Sequence, residues 1–278
     1  MVPLQGQGHT TRWGGSHLEG SAFTMPQTDH QDRLLPWDAC YNVREVGGYP
    51  AEDGKRLRWR ALVRADNLCR LTPDGQAALR DYGVRTIIDL RLAHELEKNP
   101  NPFAGGQVHG EYDAPRYLHL PLYDPASTPA LQEEDSLQAE YIVILERNKE
   151  LVAAPIKAVA AGLEEGGVLV HCHGGKDRTG MIVALLLSLV GVPRETVAED
   201  YSLSEGLLEP VHSAWLEEQS RAEGHPIERP RWMSSRPETL LGVLDYLDRT
   251  YGSIPAYLRA AGVTQAEMAQ IRKHLLEP

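Results

Sequence analysis

Residues 168–180 read VLVHCHGGKDRTG, and the almost wholly apolar run MIVALLLSLVGV follows directly at 181–192. Residues 168–171, which are apolar up to His171, come after Gly166-Gly167 and predict a buried β-strand. The segment from Arg178 to Leu189 predicts a helix that is buried on all sides. This order of strand, loop and helix places Cys172 at the end of a strand, where open α/β sheets bind their ligands.

The loop after this strand has the chemistry of an anion site. Gly174 and Gly175 allow the backbone to curl so that successive N–H groups converge, and the following helix adds its N-terminal dipole. Arg178 supplies a planar fork that matches two phosphate oxygens. The same field favours the thiolate form of Cys172, which is a nucleophile for phosphoryl transfer. A cysteine that only filled the core would require none of these neighbours.

The rest of the chain alternates predicted helices and strands. Thr72-Pro73 starts a helix that ends at Gly83, and buried strands are predicted at 84–90 and 116–122. The alternation predicts an α/β fold with a mostly parallel central sheet flanked by helices on both faces. Further helices are predicted from about 136 to 163 with a break near Pro155 or earlier, and near 194–208, 237–250 and 264–275.

The sequence predicts a leader followed by one domain, with a possible lid inside that domain. Residues 1–30 are rich in Gly, Thr, His and Gln and predict a disordered leader. Residues 31–278 contain no internal repeat or later linker and predict one catalytic domain. Within it, residues 205–236 are a possible lid, because their second half combines four arginines with prolines.

Composition limits the classes of partner and compartment. The net charge of −11 excludes a general nucleic-acid or anionic-membrane surface, so a bound anion has to be held by a local pocket. The three cysteines are far apart and form no metal-binding or disulfide pattern, which predicts a reducing compartment. The N-terminus lacks the charged start and apolar run of a signal peptide, so a cytoplasmic location is expected, with secretion without a signal peptide as the alternative. No run is long enough to insert stably in a bilayer. No cofactor or metal is expected, because Arg178 and backbone dipoles neutralise the phosphate.

The pattern His171-Cys172-x5-Arg178-Thr179-Gly180 resembles the signature loop of the cysteine-dependent protein tyrosine phosphatases. The fuller HCHGGKDRTG is similar to a bacterial branch that includes a secreted mycobacterial enzyme acting on phosphoproteins and phosphoinositides. Further segments that match this branch are NVREVGGY (42–49), ALVRADNLCRLT (61–72), IIDLRLAHE (87–95), VAEDYSLS (197–204) and the ending 237–263. The resemblance implies a tyrosine-phosphatase-like fold over about residues 38–275.

The resemblance also implies roles for single residues. Cys172 would form a phosphocysteine intermediate, Arg178 would hold the phosphoryl oxygens, and Thr179 would hydrogen-bond the sulfur. Residues of the loop that would bind the phosphate are His173, Gly174, Gly175, Lys176 and Gly180. Residues expected to support the loop are His171, Asn42, Arg44, Arg64 and Asp66. A separate set, Asp89, Arg91 and Glu95, is expected to form structural ion pairs.

Two carboxyl groups are candidates for the general acid that protonates the leaving oxygen. Asp124 follows the strand 116–122, at the place from which most tyrosine phosphatases supply their acid. Asp177 lies inside the signature loop, where the resembled branch also carries Asp. Asp177 is favoured, and both stay open at this point.

These features predict hydrolysis of phosphate monoesters, with phosphotyrosine proteins as substrates and broad specificity that extends to phosphoserine, phosphothreonine and phosphoinositides. An inositol-polyphosphate phosphatase and an inactive phospho-binding module are the alternatives. A thiol redox enzyme or arsenate reductase would need a resolving cysteine close to Cys172 in sequence, and none is present. Cys40 or Cys69 could instead pair with Cys172 during oxidation. The sequence leaves the oligomeric state open.

Overall fold

The computed structural model describes residues 30–105, 114–127 and 134–278. The predicted leader, residues 1–30, lies outside the described residues except for His30. Five strands form one sheet within the described part of the chain: β1 (Arg44–Glu45), β2 (Leu62–Ala65), β3 (Val84–Asp89), β4 (Arg116–His119) and β5 (Gly167–His171). Their order across the sheet is β1-β2-β5-β3-β4.

The sheet is parallel apart from β1, which pairs antiparallel with β2. Ala65 and Asp89, the last residues of β2 and β3, are both in register with His171, the last residue of β5. The carboxyl ends of three central strands therefore meet directly before Cys172. The predicted parallel sheet and its strands at β3, β4 and β5 are confirmed, whereas β1 and β2 were not predicted, because their few residues include Arg44, Glu45 and Arg64.

The helices are α1 (Pro73–Tyr82), α2 (Ala93–Lys98), α3 (Leu137–Arg147), α4 (Lys149–Glu165), α5 (Asp177–Leu189), α6 (Arg194–Leu207), α7 (Glu209–Glu223), α8 (Pro237–Tyr251), α9 (Ile254–Ala260) and α10 (Gln265–Leu275). The predicted limits of α1 are confirmed: the Thr72 side chain accepts a hydrogen bond from the Gly75 N–H, and Gly83 ends the helix at φ 103°.

The long helical region predicted for 136–163 is two helices. The break falls at Asn148, which ends α3 and precedes α4, and Pro155 lies inside α4. The Asn148 side chain donates to the Ile144 carbonyl at 3.2 Å, so the amide competes with the helix for a backbone acceptor.

Alternate side chains of the strands pack into two apolar layers, as expected for a sheet that is covered on both faces. Val63, Ile87 and Leu169 face the layer that contains α1. Leu62, Ile88 and Val168 face the layer that contains α4 and α5. Every residue of α5 from Thr179 to Leu187 is buried, which confirms the central helix predicted from the apolar run.

The possible lid segment, residues 205–236, contains the end of α6, the whole of α7 and a loop with a short 3-10 turn at Arg231–Met233. The sequence did not predict α7. Trp232 of the loop packs edge-on against Trp215 of α7, with ring centroids 5.3 Å apart, so the loop folds back over the helix. No helix in the described ranges is long and apolar enough to cross a membrane.

Candidate active site

A cavity of about 450 Å³ opens beyond the carboxyl ends of β2 and β5. The signature loop forms its floor with Cys172, His173, Gly174, Lys176, Asp177 and Arg178. The apolar part of the lining, called the wall below, consists of Tyr41, Leu208, Val211, Trp215 and Trp232. The possible lid segment supplies four of these five wall residues, so it lies beside the predicted phosphate loop.

Three consecutive carbonyl groups of the loop accept hydrogen bonds from elements outside it. The donors are Asn67 N–H to His173 O at 2.9 Å, Asn42 Nδ2 to Gly174 O at 2.8 Å and Arg64 Nη2 to Gly175 O at 2.8 Å. In a trans peptide the N–H of the next residue points opposite to the carbonyl. The N–H groups of residues 174–176 therefore point into the concave side of the loop, where they form a nest for an anion.

Two glycines of the motif act through the backbone and packing, and neither lines the cavity. Gly175 has φ +64°, and a Cβ atom on it would lie 2.3 Å from the Ala65 carbonyl oxygen. A Cβ atom on Gly180 would lie 2.9 Å from the Tyr201 ring, so this glycine allows α5 to approach α6. Gly174 differs, because a Cβ atom there would meet only the Leu208 side chain at 3.7 Å.

Cys172 is 2% exposed and lies at the base of the cavity. Thr179 is buried in the first turn of α5, and its hydroxyl oxygen has no hydrogen-bond partner in the part of the chain that the structure describes. Buried hydroxyl groups normally find a partner. The Thr179 hydroxyl is therefore available to a group of the site.

Glu95 fixes the orientation of Arg178. The guanidinium donates two hydrogen bonds to the carboxylate, Nη2 to Oε1 at 2.9 Å and Nη1 to Oε2. Burial raises the pKa of Glu95, but the bonds from Arg178 outweigh it and bring this pKa below its usual value. Burial lowers the pKa of Arg178 and the same bonds raise it beyond its usual value, so the fork stays charged.

The predicted ion pairs of this region need one correction. Arg91 pairs with Asp89 at 2.6 Å, as expected, and both side chains are fully buried. Glu95 pairs with Arg178 and not with Arg91, because β3 and α2 carry it to the cavity while Arg91 points into the protein interior. The spacing of Arg91 and Glu95 suggested a local pair, and no sequence signal linked Glu95 with a residue 83 positions away.

Lys176 and Asp177 form a pair at the edge of the cavity. Lys176 Nζ lies 2.9 Å from Asp177 Oδ1 and donates to the Ser234 carbonyl at 2.6 Å. The lysine side chain is only 3% exposed, whereas Asp177 is 39% exposed. The charge of Lys176 is thus directed at a carboxylate and a backbone dipole of the possible lid segment.

Asp124, the other candidate acid, is exposed and does not line the cavity. Its carboxylate accepts a hydrogen bond from the Ala126 N–H at 2.8 Å, which is a local contact within the turn that contains Asp124. The positions of the two carboxyl groups favour Asp177 as the acid.

Arg44 and Arg64 share the carboxylate of Asp200 below the loop. Arg44 Nε lies 3.0 Å from Asp200 Oδ1, and Arg64 Nη1 contacts Oδ2. Burial raises the pKa of Asp200, but the two guanidinium groups outweigh it and lower this pKa to about 2. Arg44 also donates to the Asn42 side chain, so the residues that hold Gly174 and Gly175 belong to one buried network. Asp200, which the sequence did not single out, is its centre.

The remaining predicted residues lie around this network. His171 is fully buried, with Nε2 3.0 Å from Asn101 Nδ2 and Nδ1 3.1 Å from the Cys172 carbonyl oxygen. Asp66 lines the cavity and accepts the Asn42 N–H at 3.0 Å, and burial raises its pKa. The His173 side chain is 62% exposed, and desolvation lowers its pKa.

Comparison with known proteins gives a family match and several similar proteins. The sequence profile of the tyrosine phosphatase family matches residues 35–277. A tyrosine-protein phosphatase of Nostoc commune is 31% identical over 225 residues, which cover 77% of this chain and 74% of that protein. The triple specificity protein phosphatase PtpB of Mycobacterium tuberculosis is 29% identical over 281 residues, 88% of this chain and 99% of that protein. The solved structure of TpbA from P. aeruginosa aligns with 53% of this chain and 71% of its own, with 19% identity and a TM-score of 0.30.

Proposed function

This chain belongs to the tyrosine phosphatase family, and from that premise we propose that it hydrolyses phosphate monoesters through a phosphocysteine intermediate on Cys172. One observation carries the proposal. Cys172 lies at the base of a cavity whose floor combines a nest of N–H groups with an arginine fork that is already oriented by Glu95. Such a site stabilises the charge of a transferring phosphoryl group without reorganisation.

The reaction proceeds in two steps. The Cys172 thiolate attacks phosphorus, the bond from phosphorus to the leaving oxygen breaks, and Asp177 gives that oxygen a proton. Water then attacks the phosphocysteine, Asp177 takes the proton of the water, and the thiolate leaves. Arg178 and the loop N–H groups hold the phosphoryl oxygens in both steps, and the Thr179 hydroxyl donates to the departing sulfur.

The cavity lining supports phosphotyrosine as the principal substrate. Its cationic side chains Arg70, Lys176 and Arg178 are matched in number by Asp66, Glu95 and Asp177. A substrate with several phosphates needs a more basic field, so this balance favours a single phosphate. The wall residues Tyr41, Val211 and Trp232 are exposed and offer an apolar surface to an aromatic ring.

Broad specificity is part of the proposal. The name of the M. tuberculosis relative, triple specificity protein phosphatase, supports it. We infer slower turnover of phosphoserine and phosphothreonine proteins and of phosphoinositides. Residues 31–278 would form the catalytic unit, with 205–236 as the segment that covers the cavity.

The test is phosphate release from phosphotyrosine and phosphoserine peptides, phosphoinositides and inositol polyphosphates, compared between the wild type and Cys172→Ser. We expect phosphotyrosine to give the highest kcat/KM and Cys172→Ser to lose essentially all turnover. Cys40→Ser is the matched control, because Cys40 is a partly buried cysteine that does not line the cavity.

Rapid acid quench followed by mass spectrometry should show a phosphoryl adduct on Cys172. Retained turnover in Cys172→Ser would overturn the mechanism. A preference for inositol polyphosphates would keep the mechanism and reject the substrate class.

A further inference from the structure

A buried tyrosine contacts the candidate acid. Tyr141 on α3 is 2% exposed, and its hydroxyl donates a hydrogen bond to Asp177 Oδ1. Burial raises the pKa of Tyr141 well above its usual value, so the side chain stays a phenol at neutral pH and keeps its donor. The catalytic steps described above do not use this contact.

The contact is the end of a directed chain of hydrogen bonds. The Tyr201 hydroxyl lies 2.9 Å from that of Tyr141. Because Tyr141 has a single hydroxyl hydrogen and gives it to Asp177, Tyr201 is the donor of this second bond. The chain therefore runs from Tyr201 on α6 through Tyr141 on α3 to Asp177 at the start of α5.

Both donors that reach Asp177 select the same carboxyl oxygen. Tyr141 and Lys176 contact Oδ1, the latter at 2.9 Å, and Oδ2 accepts no hydrogen bond from the residues that the structure describes. Asp177 lines the cavity and is 39% exposed. The oxygen without these donors is thus the one that is available to a substrate.

We propose that Tyr141 is a positioning residue for acid catalysis, which holds Asp177 by Oδ1 so that Oδ2 presents the transferable proton to the leaving oxygen. This inference rests on the proposed function, in which Asp177 is the acid. The Tyr141 hydrogen is not transferred: the proton moves from Oδ2 to the leaving oxygen as the bond to phosphorus breaks.

Lys176 alone does not fix the carboxyl group in the same way. Its ammonium group also donates to the Ser234 carbonyl at 2.6 Å, and an ammonium on a flexible stem acts as a point charge. The Tyr141 ring is rigid and packed on all sides, so its hydroxyl fixes both the direction and the length of the hydrogen bond to Asp177 Oδ1. Proton transfer is sensitive to displacements of about 1 Å, which can cost about a hundredfold in rate.

The experiment compares kcat/KM of Tyr141→Phe on two substrates that differ in the basicity of the leaving oxygen. A phosphoserine peptide releases an alkoxide and needs the acid, whereas difluoromethylumbelliferyl phosphate releases a weakly basic phenolate and does not. We expect kcat/KM to fall about tenfold on the peptide and less than about twofold on the aryl ester. Equal losses on both substrates would overturn the inference.

Tyr257→Phe is the matched control. Tyr257 is also fully buried, and its hydroxyl donates to the Leu145 carbonyl of the same helix α3 at 2.9 Å, away from the cavity lining. The Tyr257→Phe variant loses a similar buried hydrogen bond, so thermal unfolding should show a similar loss of stability. The ratio of its kcat/KM values on the two substrates should not change.

A double-mutant cycle with Asp177→Asn completes the test. Tyr141→Phe should add no further loss on the phosphoserine peptide once Asp177 is replaced. Additive losses, or an Asp177→Asn variant that does not distinguish the two substrates, would reject the positioning role. Neither outcome would affect the proposed phosphatase activity, which Cys172→Ser tests separately.

Discussion

At the scale of single residues, the site depends on carboxylates that orient cations before any substrate binds. Arg178 forms an ion pair with Glu95, Lys176 with Asp177, and the two arginines below the loop with Asp200. The sequence identified Lys176 and Arg178 from the signature motif, and Arg44 and Arg64 from two further segments that resemble the same branch. It did not identify Glu95 or Asp200 as their partners, because ion pairs between distant positions leave no local pattern.

The pair between Glu95 and Arg178 leads to the first residue-scale prediction. Glu95→Gln keeps the shape of the side chain but removes the charge and one acceptor of the two-point contact, so Arg178 is less well oriented for phosphate. We expect kcat/KM for a phosphotyrosine peptide to fall about tenfold, or about 1.4 kcal/mol. The inhibition constant of inorganic phosphate should rise in parallel.

Glu97→Gln is the control for this prediction, since Glu97 is an exposed residue of the same helix α2 and does not line the cavity. An equal loss in both variants would mean that α2 as a whole, and not the contact with Arg178, is responsible.

At the scale of elements, the strand, the loop and the helix around Cys172 were predicted almost residue by residue. A buried run between glycines and a fully apolar run after polar residues are local signals. The helix α7 was missed, because its length contains few apolar residues and the arginines and prolines that follow it are typical of a loop. Its packing partner Trp232 lies in that loop, and only the folded chain brings it to Trp215.

The loop glycines give the element-scale prediction. Gly175→Ala forces an alanine to φ +64° and its Cβ to 2.3 Å from the Ala65 carbonyl, so the loop has to shift. We expect a loss of about 2 to 4 kcal/mol in the free energy of unfolding, together with most of the activity. Gly174→Ala should lose less than about 1 kcal/mol, because its Cβ meets only a side chain at ordinary contact distance. Chemical denaturation measures the stability of both variants. Similar losses would contradict the conclusion that position 175, and not position 174, requires glycine.

At the scale of the whole molecule, Asp200 joins the first two strands to α6 and, through the arginines, to the loop. Asp200→Asn leaves Arg44 and Arg64 with incomplete charge compensation in the interior. We expect a loss of about 3 to 5 kcal/mol in urea unfolding. Asp245→Asn, which breaks the exposed pair with Arg194 at 2.6 Å, should lose no more than about 1 kcal/mol.

The same carboxylate predicts a dependence on pH. The pKa of Asp200 is lowered in the folded protein to about 2. Its contribution to the free energy of unfolding is therefore fully present above the pKa that it has in the unfolded chain, about 3.9. The contribution is lost as pH falls from about 4 towards 2. The difference in unfolding free energy between the wild type and Asp200→Asn should therefore shrink over this range, and a constant difference would contradict the ion-pair account.

The sequence by itself determined the fold class, the family and the signature loop that carries the proposed nucleophile and arginine fork, because that loop is a contiguous run whose spacing sets both a local conformation and a chemistry. The tertiary structure decided which carboxylates orient the cations, that Asp177 and not Asp124 lines the cavity, and which aromatic residues form its wall. The contacts of Glu95 and Asp200 with their arginines join positions from 83 to 156 residues apart. These contacts form because the folded sheet brings the ends of distant strands and helices together, and no short stretch of the sequence specifies that arrangement.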